Sequence, residues 1–274
     1  MRNVAPGSAS PTSFRSLVLP REHGSWSLAL EPVALGLLVA PSRGGAWLAL
    51  AVIAGFFTRR PLKLAVTLPR SDPRRRATFG WMLLFATTAL AGLLLSTAPS
   101  LWRNTPHPTW TALWPLLLAT PLGAAFLWFD LRGEMREAEA EIAGSAAFAL
   151  VPAAFATLAG WSAAPALSLA GLMLARSVPT VLTVRTYLRL AKGKPATALP
   201  ALACAGGALI VVVALATRDL VPGTAVVLAL LLAARTAWLL SPRAPTWSAR
   251  RAGITEAILG AVFVAALALG YGAR

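Results

Sequence analysis

Three polar residues recur at every fourth position near the start of an apolar stretch: His23, Ser27 and Glu31, in the sequence PREHGSWSLALEPVAL over residues 20–35. On an α-helix, residues spaced by four lie along one face. A charged side chain in hydrocarbon costs several kcal/mol, so this face must point to protein or water rather than to lipid. An imidazole and a carboxylate placed there are suited to proton transfer or to binding a polar acceptor.

Other ionisable residues lie within or at the ends of the apolar segments. Arg176 has a predicted depth similar to that of Glu31, so the two side chains either neutralise each other as a structural pair or share a polar site. Arginine and lysine hold phosphate or carboxylate groups through charge-assisted hydrogen bonds. We predict a cavity that opens to the cytoplasm and is lined by His23, Ser27, Glu31, Arg59, Arg60, Lys63, Glu141, Arg176, Arg185 and Glu256.

Local sequence also predicts the structure at two helix ends. Pro61 follows Arg59 and Arg60, and because proline disrupts a helix interior we expect the second helix to end before it, with these arginines at the edge of a loop. The segment DLRGEMREAEAE, residues 130–141, has opposite charges at helical spacing, which favours a solvated loop helix. Within this segment, only Glu141 is assigned to the cavity.

Motifs of soluble catalysis are absent from the sequence. It contains no Walker A loop, dinucleotide-binding glycine motif, HExxH or CxxC, and Cys204 is the only cysteine. His23 and His107 are predicted on opposite sides of the membrane, so we predict no metal site, and the sequence identifies no cofactor. Basic residues outnumber acidic residues 25 to 10, but they fall between apolar blocks rather than on one soluble face, which argues against nucleic acid as a partner.

Composition sets the fold class. Hydrophobic residues make up 57% of the 274 residues, charged residues 13%, and the mean hydropathy is +0.67, all typical of a protein whose solvent is the lipid bilayer. We predict a disordered basic tail over 1–20, then a single all-α transmembrane domain over 21–274 with about nine helices. They are expected near 24–40, 44–58, 77–98, 109–129, 140–160, 164–184, 196–217, 220–240 and 252–271. Eight spans with a re-entrant segment is the alternative.

Lysine and arginine cluster in the tail and in the connections after the second, fourth, sixth and eighth predicted helices. Because cytoplasmic loops are enriched in these residues, the N-terminus is predicted to be cytoplasmic and, with nine spans, the C-terminus external. This pattern predicts a multi-pass protein of the inner, or plasma, membrane of the cell.

Several segments resemble the YwiC-like family of bacterial membrane proteins: PREHGSWSLALEPVALG, RRPLKL, REAEAEIAGSAAFALVP, RSVPTVLTVRTYLRLAKGKP and GITEAILGAVFV. The resemblance covers most of the chain after residue 18 and implies no particular activity.

The predicted plan of nine helices with long cytoplasmic loops after helices 2 and 6 also resembles the UbiA-type prenyltransferases. In that family each of these loops carries aspartates that bind magnesium and a prenyl diphosphate. Here the first loop, TRRPLKLAVTLPRSDPRRR, has Asp72 as its only carboxylate, and the second, RTYLRLAKGKP, has none. The metal site of that family cannot be built from these loops, and basic residues stand in its place.

Three functions fit this sequence. The first is binding or processing of an anionic or isoprenoid lipid, with Arg59, Arg60, Lys63 and Arg176 at the head group and His23, Glu31 and Glu141 handling protons or a polar acceptor. The second is a small-anion or proton-coupled transporter, since Glu31 and Arg176 lie near Pro32 and Pro179 in predicted helices. The third is a structural or assembly partner of a membrane complex, in which the buried charges only pair.

Overall fold

Helices account for all the regular secondary structure in the described part of this computed structural model, which covers residues 17–19, 25–98, 110–135 and 137–273. The ten α-helices are α1 (Ser25–Val39), α2 (Arg43–Thr67), α3 (Arg74–Ser96), α4 (Trp114–Arg132), α5 (Ala138–Ala149), α6 (Val151–Leu158), α7 (Ala163–Leu190), α8 (Leu199–Ala216), α9 (Gly223–Leu239) and α10 (Ala249–Gly272). A short 3-10 helix, Trp110–Leu113, precedes α4. Most of the predicted tail falls outside the described residues, and Leu17 and Val18 within it are buried.

Each predicted span corresponds to helix in the structure, and α5 and α6 together form the fifth. Among the described residues, six helical segments are long and apolar enough to cross a membrane, and α1 and α9 are shorter apolar helices. Most of the large apolar side chains that remain exposed lie on α3, α4, α8, α9 and α10, among them Leu83, Leu117 and Ile210. In a bilayer these side chains meet lipid. The chain is therefore an all-helical polytopic membrane protein.

The prediction that the second helix ends before Pro61 is wrong. Helix α2 continues through Pro61 to Thr67. Proline removes a single backbone donor, and Asp130 of α4 binds Arg59 on one side of Pro61 and Lys63 on the other, which holds the two turns together. Arg59, Arg60 and Lys63 consequently lie on a helix rather than in a loop.

The sixth predicted helix is also longer than expected. Helix α7 runs to Leu190 instead of about residue 184, so Arg185 is a helical residue. This helix packs against α5, α6, α8 and α9, while α1 packs against α2, α6 and α10. The largest fully buried side chains, including Phe155, Leu35 and Leu169, fill the space between these elements. Helix α7 thus lies at the centre of the helices that carry the predicted site residues.

Helix α3 approaches α2 closely at Gly92. A Cβ atom at this position would lie 2.8 Å from the carbonyl oxygen of Trp47 and 3.0 Å from the amide nitrogen of Ala51. Both are backbone atoms of α2 and cannot move aside without moving the helix. Glycine is therefore what allows the two helices to pack at this distance.

Replacing Gly92 with alanine is expected to lower the free energy of unfolding by about 1–3 kcal/mol, the usual cost of overpacking. The matched control is Gly80→Ala on the same helix, where a Cβ would enter open space. Thermal unfolding of both variants in the same detergent measures the difference. Equal stabilities of the two variants would contradict the proposed close approach of α2 and α3.

Candidate functional site

A cavity of about 430 Å³ lies between α1, α2, α4, α5, α7 and α10. One continuous face of α7 forms its longest wall, with residues at helical spacing from Met173 to Leu188. The lining residues are Ser27, Leu28, Glu31, Pro32, Arg59, Phe126, Met135, Glu141, Ser145, Met173, Arg176, Ser177, Thr180, Val181, Val184, Arg185, Leu188, Gly253 and Glu256. A volume of this size suits a small molecule or part of a lipid.

One end of the cavity, which we call the inner end, is formed by Glu31, Arg176 and Glu256, with Arg235 beside Glu256. Arg176 is only 3% exposed. Its Nη1 donates to Thr180 Oγ1 at 2.7 Å, and its Nη2 donates to the backbone carbonyl of Glu256 at 3.0 Å. These two hydrogen bonds fix the guanidinium between α7 and α10.

Both carboxylates of the inner end lie close to the same guanidinium. Arg176 Nη2 is 3.6 Å from Glu31 Oε1, and Arg176 Nη1 is 3.7 Å from Glu256 Oε2. Arg235 Nη2 donates to Glu256 Oε1. Two carboxylates and two guanidiniums therefore meet here and balance in charge. The predicted pair of Glu31 and Arg176 is present, but as part of this larger cluster.

Helix α10 reaches the carboxylate of Glu31 because residue 260 is glycine. A Cβ atom at Gly260 would overlap the carboxyl group of Glu31. The absence of a side chain here lets α10 pack against α1 while Glu31 keeps its place beside Arg176. Gly260 thus positions a charged residue without contributing a polar atom.

The opposite end, which we call the mouth, is more exposed. Arg185 Nη1 lies 3.4 Å from Glu141 Oε2, and the two side chains are 28% and 36% exposed. On α7, the lining residues between Arg176 and Arg185 are Ser177, Thr180, Val181 and Val184, and Leu188 lies about one turn beyond Arg185. The cavity therefore has charged groups at both ends, with two valines and two hydroxyl side chains along α7 between them.

A third charged group lies beside the cavity. Asp130 is 4% exposed, accepts a hydrogen bond from Lys63 Nζ at 3.0 Å, and lies 2.9 Å from Arg59 Nε. The guanidinium of Arg59 also stacks over the ring of Phe126, 5.1 Å from its centroid. The prediction that Asp130 begins a solvated loop helix is wrong, because it ends α4 at a buried position where two cations need a counterion.

The structure brings together most of the predicted site residues. Those that line the cavity are Ser27, Glu31, Arg59, Glu141, Arg176, Arg185 and Glu256. Lys63 instead binds Asp130, Arg60 is not among the lining residues, and His23 lies outside the described residues. A role for any of them in binding stays a prediction.

Sequence reasoning missed several contributors. Asp130 and Arg235 are absent from the predicted set, but they bind Arg59 and Glu256 directly. Ser145 lies one helical turn beyond Glu141, and Thr180 lies one turn beyond Arg176. This spacing was the available signal, because residues four apart share a helical face. Within the described part of the chain, no group of three or more His, Cys, Asp or Glu residues could hold a metal ion.

A family model described as YwiC-like protein matches residues 19–156, half of the chain. The chain belongs to the YwiC-like family. The matched range contains the cavity residues of α1, α2, α4 and α5, whereas α7 and α10 lie beyond it. No curated protein and no solved structure matches this YwiC-like chain. The resemblance to the nine-helix plan of the UbiA-type prenyltransferases therefore stays a prediction.

Proposed function

We propose that this YwiC-like protein binds or processes an anionic or isoprenoid lipid in the cavity, and that it does so in a bacterial inner membrane with its N-terminus in the cytoplasm. The observation that carries the proposal is that one cavity combines the Arg185–Glu141 pair at its mouth, apolar side chains such as Val181 and Val184 along its wall, and a buried charged cluster at its inner end. An amphiphile matches this combination of charged ends and apolar wall.

The orientation of the lipid follows from the charges. Arg59 and Arg185, which pair with Asp130 and Glu141, line the cavity without belonging to the balanced cluster of the inner end, and guanidiniums bind phosphate or carboxylate oxygens in a bidentate manner. The apolar chain would then lie along Val181 and Val184 of α7, between Arg185 and Arg176. Glu31 and Glu141 are the lining carboxylates suited to exchanging a proton with the ligand.

Filling the cavity between its two ends is expected to displace the lipid. Val184→Trp adds a large ring to the cavity wall and should reduce the amount of co-purifying anionic or isoprenoid lipid several-fold, measured by native mass spectrometry after gentle extraction. The matched control is Val227→Trp on α9, a valine that is 58% exposed on the outer surface. The control should retain the lipid. A wild-type protein that carries no such lipid, together with an unchanged lipid profile in a deletion strain, contradicts the proposal.

A second function is favoured by two prolines. Pro32 and Pro179 lie inside α1 and α7, close in sequence to Glu31 and Arg176, and each removes a backbone donor beside the buried charges. Transporters often place ion and solute sites where the hydrogen bonds of a helix backbone are broken, and each proline removes one such bond here. Flux of small anions into proteoliposomes, with and without a pH gradient and lost in Glu31→Gln, would establish this function. Lipid binding alone predicts no flux.

A further inference from the structure

We infer that the inner end of the cavity is a separate subsite for an uncharged polar group, a hydroxyl or a carboxamide, and not for a second anion. The inference rests on the proposed function, because it concerns the same amphiphile in the same cavity. It adds the chemical class of the group that lies farthest from the head group.

The charge of the inner end argues against an anion. Glu31 and Glu256 already neutralise Arg176 and Arg235, and both terminal nitrogens of Arg176 donate hydrogen bonds to Thr180 and to the backbone of Glu256. An additional phosphate or carboxylate would approach two carboxylates without an additional cation. In a buried site, this repulsion is screened far less than in water.

The hydrogen-bonding capacity that remains at the inner end points to a neutral group. Arg176 Nε, a donor, and Glu256 Oε2, an acceptor, are buried and have no hydrogen-bond partner among the described residues. Their side chains are neighbours, since Glu256 Oε2 lies 3.7 Å from Arg176 Nη1. A hydroxyl or carboxamide has both an acceptor of the kind Nε needs and a donor of the kind Oε2 needs, whereas an ionised phosphate supplies only acceptors.

A third buried polar atom lies on the path to the inner end. Ser145 Oγ of α5 is also without a partner among the described residues, and its residue is 2% exposed. Ser145 lines the cavity one helical turn beyond Glu141. A hydroxyl at this place both donates and accepts, so it matches the same kind of neutral ligand group.

The distance between the two ends of the cavity determines how long a probe ligand must be to test the inference. Arg176 and Arg185 lie on one helix and are separated by about 14 Å along its axis at 1.5 Å per residue. A dodecyl chain is of this order of length. Suitable probes are dodecyl phosphate, ω-hydroxydodecyl phosphate and the corresponding ω-carboxy compound, which share the head group and differ only at the far end.

Binding of the three probes to the purified protein in nanodiscs provides the test. The wild type is expected to bind the ω-hydroxy probe roughly ten-fold more tightly than dodecyl phosphate, the effect of a hydrogen bond to charged partners. Glu256→Gln and Gly260→Ala should remove most of this preference. The readout is a ratio of affinities within each variant, so a change in the fraction of folded protein cancels.

Arg185→Gln at the mouth is the control, and it should lower the affinity for all three probes by a similar factor. Equal affinities for the hydroxy and plain probes, or tightest binding of the carboxy probe, would overturn the inference and leave the proposed function intact. A preference that survives both Glu256→Gln and Gly260→Ala would overturn it as well. If none of the probes binds the wild type, the proposed function itself fails.

Discussion

Asp130→Ala is expected to lower the thermal midpoint of unfolding by roughly 10 °C. Asp130 is the carboxylate that Arg59 and Lys63 share, and all three residues lie at the junction of α2 and α4. Removing one partner of a buried ion pair costs about 3–5 kcal/mol, because the remaining charges stay in a low-dielectric site. For a chain of this length each kcal/mol corresponds to a few degrees. Thermal unfolding in a mild detergent measures the shift.

Asp72→Asn is the matched control for this prediction. Asp72 also pairs with a cation, Arg74, but in the connection between α2 and α3 at the protein surface. Hydrogen bonds from the Arg74 side chain lower the pKa of Asp72. Its stabilising contribution is therefore present above the unfolded-state pKa and is lost as the pH falls through the lowered folded-state pKa.

The thermal midpoints of Asp130→Ala and Asp72→Asn should therefore be compared at neutral pH, where Asp72→Asn should change the midpoint little. Similar shifts for both variants would show that the site of Asp130 is as well solvated as a surface loop.

The second large effect is expected for Arg176→Glu. This substitution places three carboxylates together, at positions 31, 176 and 256, and removes the hydrogen bonds to Thr180 and to the Glu256 carbonyl. We expect loss of monodisperse protein in size-exclusion chromatography after detergent extraction. Arg250→Glu, at an exposed position near the start of α10, is the control with the same charge change and should behave like the wild type.

Exchanging the two residues, as Glu31→Arg with Arg176→Glu, is expected not to restore the protein. The exchange recreates one attraction but leaves a carboxylate at position 176 beside Glu256. In the wild type, Glu256 Oε2 lies 3.7 Å from Arg176 Nη1, so the new carboxylate would be repelled by Glu256. Full recovery of monodisperse protein would mean that only the pair between α1 and α7 matters, and it would favour a structural or assembly role for the buried charges. Failure of the exchange follows from the four-residue cluster and does not by itself indicate a ligand.

Part of the site could be predicted because the cost of placing a charged side chain in lipid applies to each helix separately. A charged residue in an apolar segment must avoid lipid, so the polar face of α1 and the inward orientation of Arg176 follow from spacing and composition alone. The partners across helices could not be predicted in this way. Asp130 has the sequence surroundings of a loop residue, and only its position opposite Arg59 and Lys63 makes it a buried counterion.

The end of a helix likewise depends both on the local sequence and on interactions with other helices. Pro61 has a strong local effect that predicts a helix end, yet α2 continues past it because Asp130 binds the turns on both sides. Local sequence describes what one backbone segment favours in isolation. An interaction from another helix can outweigh that preference when it lies in a buried, low-dielectric site.

The sequence by itself determined that the chain is an all-helical membrane protein, where its apolar segments lie, and which ionisable residues must avoid lipid. Those properties depend on hydrophobicity and helical periodicity, which act over a single segment. The tertiary structure decided that Glu31, Arg176, Glu256 and Arg235 form one balanced cluster at the end of a cavity. That outcome depends on how closely helices approach, as α10 and α1 do at Gly260, and such distances arise only when all the helices pack together.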